Sequence, residues 1–349
     1  MNYAIKAAQI SPLLSVRMNN NEDVVNTDCS SSTSPQTKEK RMLNEREIES
    51  CYLGQFIPLH YHHNMLMDEN RMKNFKAAID YAVFPGAKVL ELGGGTGVLS
   101  WFAAAKAEKV YCVEFNPDMV REARRLLSGN RNGHKVEVIH ADAFEYLPPE
   151  PVDFVICEMI HVAMLREKQV EVIETFKQRY RARFGDKLPI FIPEAVIMAV
   201  QPLQQDFGFE GFQAPIVQFQ DTAVFSPRTV EIAAPQVYSI LDFTQDNDMK
   251  IQWQGQFTIE CEGLVNSLRF VTKNILAVVQ ERNSTIDWLN HYMSLPLNRP
   301  VIVTAGDILH IGFEYRAGGS IPSLQSAIVA QVEQHQQQEL SVERSRVYA

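Results

Sequence analysis

No apolar run in this chain approaches the ~18 residues that a membrane-spanning helix needs, and residues 1–17 lack a basic start followed by an unbroken apolar stretch. Neither a membrane span nor a signal peptide is therefore expected. Cysteines in disulfide or metal spacing are missing as well. The five present, Cys29, Cys51, Cys112, Cys157 and Cys261, are odd in number and scattered, without a C-x-x-C pair, and read as reduced thiols of a cytoplasmic protein. Positive charge is not in surplus: Lys plus Arg number 33 against 42 for Asp plus Glu, a formal charge of -9, which argues against a general polyanion-binding surface. Two nucleotide signatures are also absent. Gly-Lys-Ser/Thr of a phosphate loop does not occur, and Gly93 to Val98 does not supply the G-x-G-x-x-G of a dinucleotide fold.

What is present is a globular composition over 349 residues, 46% hydrophobic, long enough for two domains. Residues 18–41 are rich in Asn, Ser, Thr and charge, with almost nothing to bury, so 1–42 is expected to be a disordered leader. Leu43 to Phe56 reads as a first helix and residues 60–80 as a second, carrying Met65, Leu66, Met72, Phe75 and Ile79 inward. From Gln201 onward, Gly and Pro punctuation and short β-rich runs (237–243, 256–261, 274–279, 301–304, 308–315) suggest a β-barrel-like domain. The expected division is a Rossmann-like domain over 43–198, the β domain over 199–331, and a polar, Gln-rich tail over 332–349.

The chemistry centres on V-L-E-L-G-G-G-T-G, Val89 to Gly97. It reads as a buried strand running into a turn whose glycines (Gly93, Gly95 and Gly97) remove the Cβ atoms that would keep a ligand from the strand end and the following helix. A second strand, Val110 to Glu114, ends in an acid about 20 residues beyond the glycines, where a Rossmann-type unit holds ribose hydroxyls. Asn116 then caps a helix to Leu127, and a third strand, Val136 to His140, leads into Asp142 and Ala143. A fourth, Val152 to Cys157, delivers Glu158 at its carboxyl end, with Glu167 nine residues later. His62 and His63 are adjacent and lack a nearby third ligand, so no metal site is expected. Arg71 precedes the glycine turn, where its fork can bind a carboxylate bidentately or stand as a surface arginine.

E-L-G-G-G-T-G resembles the first motif of the class I S-adenosylmethionine-dependent methyltransferases. The series His62-x-x-Met65-Leu66-x-Asp68-x-x-Arg71 before that motif, with Tyr52 and Phe56 ahead of it, resembles the opening of the protein arginine methyltransferases. So does the Glu158 to Glu167 spacing, and the run C-E-M-x7-E-x-Q-V is also similar to a prokaryotic branch described as predicted RNA methylases. The resemblance implies an α/β fold, a Rossmann-like methyltransferase domain with a C-terminal β-barrel-like domain, and S-adenosyl-L-methionine as cofactor. It places His62, Met65, Arg71, Glu91, the glycines, Glu114, Asp142 and Ala143 against that cofactor: Arg71 on its carboxylate, Glu91 near its positive charges, Glu114 on ribose, Asp142 and Ala143 at adenine.

Glu158 and Glu167 become the catalytic pair. A methyl leaving a sulfonium for a protonated guanidinium brings two positive charges together, so two carboxylates offset the charge, orient the acceptor and hold its positive end away from the reacting nitrogen. The expected acceptor is an arginine or another guanidino group, on a protein or a small molecule. Alternatives are an RNA or a non-guanidino small molecule, and a non-catalytic cofactor-binding module. RNA is not favoured, because the basic run Lys177, Arg179, Arg181, Arg183 reads first as a solvated helix face. The chain departs from the family after Glu158, where Met159-Ile160-His161 replaces Trp-Met-Gly, and at Arg166. Ile286-Asp287-Trp288 stands where the family has Thr-His-Trp, so Asp287 is either an acceptor-site carboxylate or a loop residue. The family's helical arm, which makes homodimers, is expected between Phe207 and Val237.

Overall fold

A computed structural model describes residues 59–224 and 226–333. The leader, the expected helix from Leu43 to Phe56 with Tyr52, and all but the first residues of the expected tail lie outside the described residues.

The stretch expected as one helix over 60–80 is two, α1 (Leu59–Met67) and α2 (Glu69–Ala82). Asp68 breaks it, with ψ 87° and a side chain that accepts a 2.8 Å bond from Arg71 N. A short acidic side chain competes for backbone donors and so starts a new helix instead of continuing the old one.

The strands β1 (Lys88–Leu92), β2 (Lys109–Glu114), β3 (Val136–His140), β4 (Phe154–Cys157) and β5 (Ile190–Ile192) form one sheet in the order β3-β2-β1-β4-β5. All four pairings are parallel. The central strands β1, β2 and β4 are buried on both faces and are mostly apolar runs, whereas the edge strand β3 exposes Glu137 and His140. Helices α3 (Val98–Ala104), α4 (Pro117–Ser128) and α5 (Gln169–Phe184) follow β1, β2 and β4. Asn116 caps α4 by accepting from Asp118 N at 2.9 Å. The strand order reverses between β1 and β4, and in such sheets the ligand crevice opens at the carboxyl ends there.

From β6 (Ala195–Gln205) onward the chain is antiparallel. A seven-stranded sheet runs β10-β6-β13-β15-β9, with β11 on β6 and β14 on β13. Its strands are β9 (Gln218–Gln220), β10 (Thr229–Glu231), β11 (Gln236–Asp242), β13 (Gly263–Val279), β14 (Ser284–Leu289) and β15 (Tyr292–Val303). A second sheet runs β12 (Lys250–Thr258), β16 (Ile308–Arg316), β17 (Val329–Glu333), preceded by α6 (Ile321–Ala327). Tyr238, Trp253, Phe270, Phe313 and Tyr315 pack edge-on or tilted within this barrel-like half.

The long β13 was visible in sequence only in its last third, because Ser267 and Thr272 are fully buried polar residues that interrupt the apolar pattern ahead of it. The helical arm is a correction. Among the described residues, 207–237 holds no helix; it holds the two-residue strands β7 (Gly208–Phe209) and β8 (Phe212–Gln213), then β9, β10 and the start of β11.

Candidate methyltransferase site

The turn after β1 keeps its shape through left-handed glycines, Gly93 at φ 78° and Gly95 at φ 51°. A Cβ on Gly93 would stand 2.9 Å from the Met159 sulfur, and one on Gly95 3.3 Å from the His62 ring. Both positions therefore need glycine for space as well as for φ. Glu114, at the end of β2, anchors the turn: one carboxylate oxygen accepts from Gly95 N and the other from Asn116 N, each at 2.8 Å.

Glu91 is placed differently from expectation. It is 2% exposed, and its carboxyl accepts from the Ser100 backbone N–H at 2.9 Å and from the Ser100 hydroxyl. Burial pushes its pKa up to about 8. It supports the first turn of α3 from beneath, so its carboxyl is turned into the protein, because a side chain in the middle of a doubly covered strand has no route to the ligand face.

Arg71 is buried on α2 and forms an ion pair with Glu158, while its other nitrogen donates to Met65 O at 3.2 Å. The guanidinium lies 5.7 Å from the Phe75 ring centre and 5.8 Å from that of Trp288 on β14. Burial opposes its charge, but Glu158, with Asp68 and Glu167, outweighs burial and raises its pKa. His62, half-buried over Gly95, has its pKa lowered by burial, with Glu114 opposing the shift and Arg71 adding to it. The structure thus brings His62, Arg71, Gly93, Gly95, Glu114, Met159 and Glu158 around the carboxyl ends of β1, β2 and β4. Asp142, after β3, accepts from Phe144 N at 2.9 Å, with Ala143 half-buried beside it.

Comparisons with known proteins bear on the domain and the fold. The family described as "Methyltransferase domain" matches residues 89–182. Protein arginine N-methyltransferase PRMT10 of Arabidopsis thaliana is 31% identical over 187 residues, covering 51% of this chain and 48% of that protein. An uncharacterized protein of Methanocaldococcus jannaschii is 29% identical over 266 residues, covering 76% of this chain and 95% of its own length. Among solved structures, Arabidopsis thaliana protein arginine methyltransferase 10, described as a uniquely open conformation, superposes with a TM-score of 0.61 at 18% identity over 73% of this chain and 87% of that one. The Trypanosoma brucei PRMT1 enzyme–prozyme heterotetrameric complex with AdoHcy gives 0.59 at 16% identity, covering 78% and 96%; both likenesses concern the fold.

Residues 89–182 match a methyltransferase domain, and the chain resembles the protein arginine N-methyltransferases.

The chain holds its glutamate loop, 158–167, from the β half. Ala163, Met164 and Arg166 adopt φ of 59°, 52° and 59°, which L-residues hold only where surroundings compel it. The compulsion is visible. Ala163 N donates to the Thr272 hydroxyl at 2.8 Å and Ala163 O accepts from Tyr315 at 2.9 Å. Gly318 N donates to Met164 O, and Arg166 N to Gly319 O, each at 2.7 Å. Asn290 donates to Ile160 O at 3.4 Å. Gln169, fully buried, bonds the backbone on either side of Glu158 at 2.7 Å each. Sequence reading missed all of these. For the β-half residues no local signal exists, since isolated Thr, Tyr and Asn meet the loop only through the fold. The Gln169 signal was present in the E-x-Q spacing.

His161, where the family has a small residue, packs edge-on against Phe219 at 5.6 Å, and burial pushes its pKa down to about 4. Asp287 is turned away from Arg71. Trp288 points to Arg71 and Phe75, so its strand neighbour faces the opposite side, where Asp287 pairs with Lys273 at 3.3 Å. The basic helix is partly engaged with the protein: Lys177 is fully buried, Arg179 donates to Phe144 O at 2.6 Å and Arg181 pairs with Asp246 at 2.8 Å, while Arg183 is exposed.

Proposed function

We propose that this protein transfers a methyl group to a nitrogen of arginine, or of another guanidino group, on a protein or small molecule. The observation that carries the reading is that the Glu158 carboxylate is paired with a guanidinium, that of Arg71, while Glu167 acts on the same charge. A carboxylate pair that stabilises one planar cation at the end of β4 suits a second one delivered by an acceptor.

The residues present fit the donor. The turn has no side chains at Gly93 and Gly95, where the Met159 sulfur and the His62 ring lie over it; Glu114 bonds to the turn itself, and Glu158 is paired with buried Arg71. In this reading Glu114 meets the ribose, His62 and Met65 line the methionyl side, Asp142 and the Ala143 amide lie at adenine, and Gly97 permits the turn into α3. Arg71 has donors enough to hold the donor's carboxylate and Glu158 together. Bound adenosylmethionine supplies an electrophilic methyl on its sulfonium. Glu158 orients the guanidinium, concentrates its positive charge on the bonded side and leaves electron density on the nitrogen turned to the methyl. Glu167 adds a second carboxylate, and the proton lost by the acceptor nitrogen passes to one of the two or to solvent.

RNA is disfavoured by the formal charge of -9 and because Lys177, Arg179 and Arg181 of α5 bond to the protein itself. Unpaired Cys112, Cys157 and Cys261 fit a reducing, cytoplasmic compartment. The test is transfer of labelled methyl from adenosylmethionine into a cell extract fractionated into protein, RNA and small molecules. Label in protein arginine or a guanidino metabolite is the expected result, and label confined to RNA overturns the reading.

A further inference from the structure

We infer that Gln169 is a positioning residue that holds Glu158 in its working place by extending the parallel sheet beyond its last strand residue. The inference rests on the reading of Glu158 as the acceptor-orienting carboxylate.

The sheet stops one residue too early for its most important side chain. Cys157 is the last residue of β4, paired with Leu92 of β1, and on the other side β5 reaches only as far as Ile156. On the β5 side Glu158 therefore leaves the strand with no neighbouring strand backbone to fix it. The side chain of Gln169, 0% exposed at the first position of α5, takes over that task. Its Nε2 donates to Cys157 O at 2.7 Å, and its Oε1 accepts from Met159 N at 2.7 Å. In a parallel ladder, one residue donates its N–H to the carbonyl before the facing residue and accepts with its C=O from the N–H after it. The Gln169 amide reproduces that pattern around Glu158.

The chemistry leaves no ambiguity about how the amide is turned. Met159 N–H can only donate and Cys157 C=O can only accept, so Oε1 must face the first and Nε2 the second. Only a primary amide serves both. Methionine of similar length offers neither bond and leaves two buried peptide groups unpaired. A glutamate offers an acceptor alone when ionised; when protonated it also has an O–H for Cys157 O. The same amide fixes Met159, whose sulfur lies over Gly93, so one side chain sets both the acceptor carboxylate and the wall of the donor cradle. It also ties α5 to β4, which is why a strand-to-helix loop bearing left-handed Ala163, Met164 and Arg166 keeps Glu158 in register.

The test uses the full chain with Gln169→Met and Gln169→Glu, read by amide hydrogen exchange at Met159 and by methyl transfer from adenosylmethionine to a peptidyl arginine. In Gln169→Met the Met159 amide should lose protection and kcat should fall roughly 10²-fold, the scale expected of a small misplacement of a catalytic group, a larger loss than that in KM for adenosylmethionine, and the melting temperature should fall because two buried peptide groups lose their partners. In Gln169→Glu the rate relative to wild type should be highest in acid and fall as pH rises through the carboxyl's pKa, since only the protonated form keeps both bonds. Unchanged exchange at Met159, unchanged kcat in Gln169→Met, or a flat pH ratio in Gln169→Glu each overturns the inference. If the wild-type protein methylates no guanidino acceptor, the proposed function fails by itself, and exchange at Met159 still decides whether Gln169 holds the Glu158 backbone.

Discussion

The hydroxyl oxygen of Thr272 accepts a 2.8 Å hydrogen bond from the backbone N–H of Ala163, 109 residues earlier in the chain. Both residues are fully buried, and Ala163 is in the left-handed region at φ 59°. The β half therefore shapes the loop between the two glutamates. Replacing Thr272 by valine keeps the volume and deletes the acceptor, leaving a buried N–H without its partner. The expected cost is about 1–3 kcal/mol in denaturant unfolding, together with a larger loss in kcat than in affinity for adenosylhomocysteine. Equal losses in both would mean that the bond supports the fold without shaping the loop.

How much of this arrangement the sequence could disclose depends on distance along the chain. The glycine turn, the acids ending β2 and β4 and the Asn116 cap are local patterns, in which residue type and period specify backbone shape, and they are where the reading placed them. Glu91 was misjudged because an acid before a glycine turn looks the same whether its carboxyl faces ligand or the helix beneath; only Ser100 on α3 decides. The break at Asp68 was a local signal overridden by apolar periodicity on either side. The left-handed Ala163, Met164 and Arg166 carry no glycine or asparagine to announce them, since their conformation comes from Thr272, Tyr315, Gly318 and Gly319. The Thr-His-Trp comparison found Trp288 but could not say that Asp287 points the other way.

Arg71→Lys tests the proposed carboxylate clamp. Lysine keeps the charge but loses the planar fork that serves Met65 O and Glu158 at once. Affinity for adenosylhomocysteine, measured by isothermal titration, should fall at least ~10-fold from the loss of charge-assisted bonds. Titration at wild-type affinity would remove Arg71 from the donor site.

Glu158→Gln and Glu167→Gln separate one carboxylate from two. Each variant keeps shape and loses charge, so each should lower kcat on a peptidyl arginine by roughly 10²–10³-fold, the scale of deleting one preorganised electrostatic partner, with cofactor affinity largely kept. Full turnover in Glu167→Gln would falsify the two-carboxylate arrangement and leave Glu158 as a single orienting group.

Gly93→Ala probes the open face of the turn. The added methyl meets the Met159 sulfur at 2.9 Å in a backbone at φ 78°, so it combines steric crowding with a conformation that alanine adopts at a cost of about 1 kcal/mol or more. Cofactor affinity should weaken while the circular dichroism spectrum stays that of the folded protein. A second change, Met159→Ala, makes room for the new methyl, and recovery of affinity in the double variant would locate the crowding at this contact.

The buried carboxyl of Glu91 makes stability depend on pH in a direction opposite to that of a salt-bridged acid. Its ordinary value is 4.5 and burial raises it to about 8, the Ser100 bonds opposing the shift. Below the unfolded value both folded and unfolded chains hold the proton, and the group is without effect. As pH rises from 4.5 towards 8 the unfolded chain ionises while the folded one does not, so the folded state loses stability steadily, and above 8 the loss is complete. Glu91→Gln retains an acceptor for the Ser100 N–H and removes the titration. The variant should therefore gain on wild type as pH rises across that window, by a few kcal/mol at most, in urea midpoints compared at about pH 5 and about pH 8.5. A difference that shrinks with rising pH would mean that Glu91 is ionised in the fold, held by Ser100 as a carboxylate under the positive end of α3.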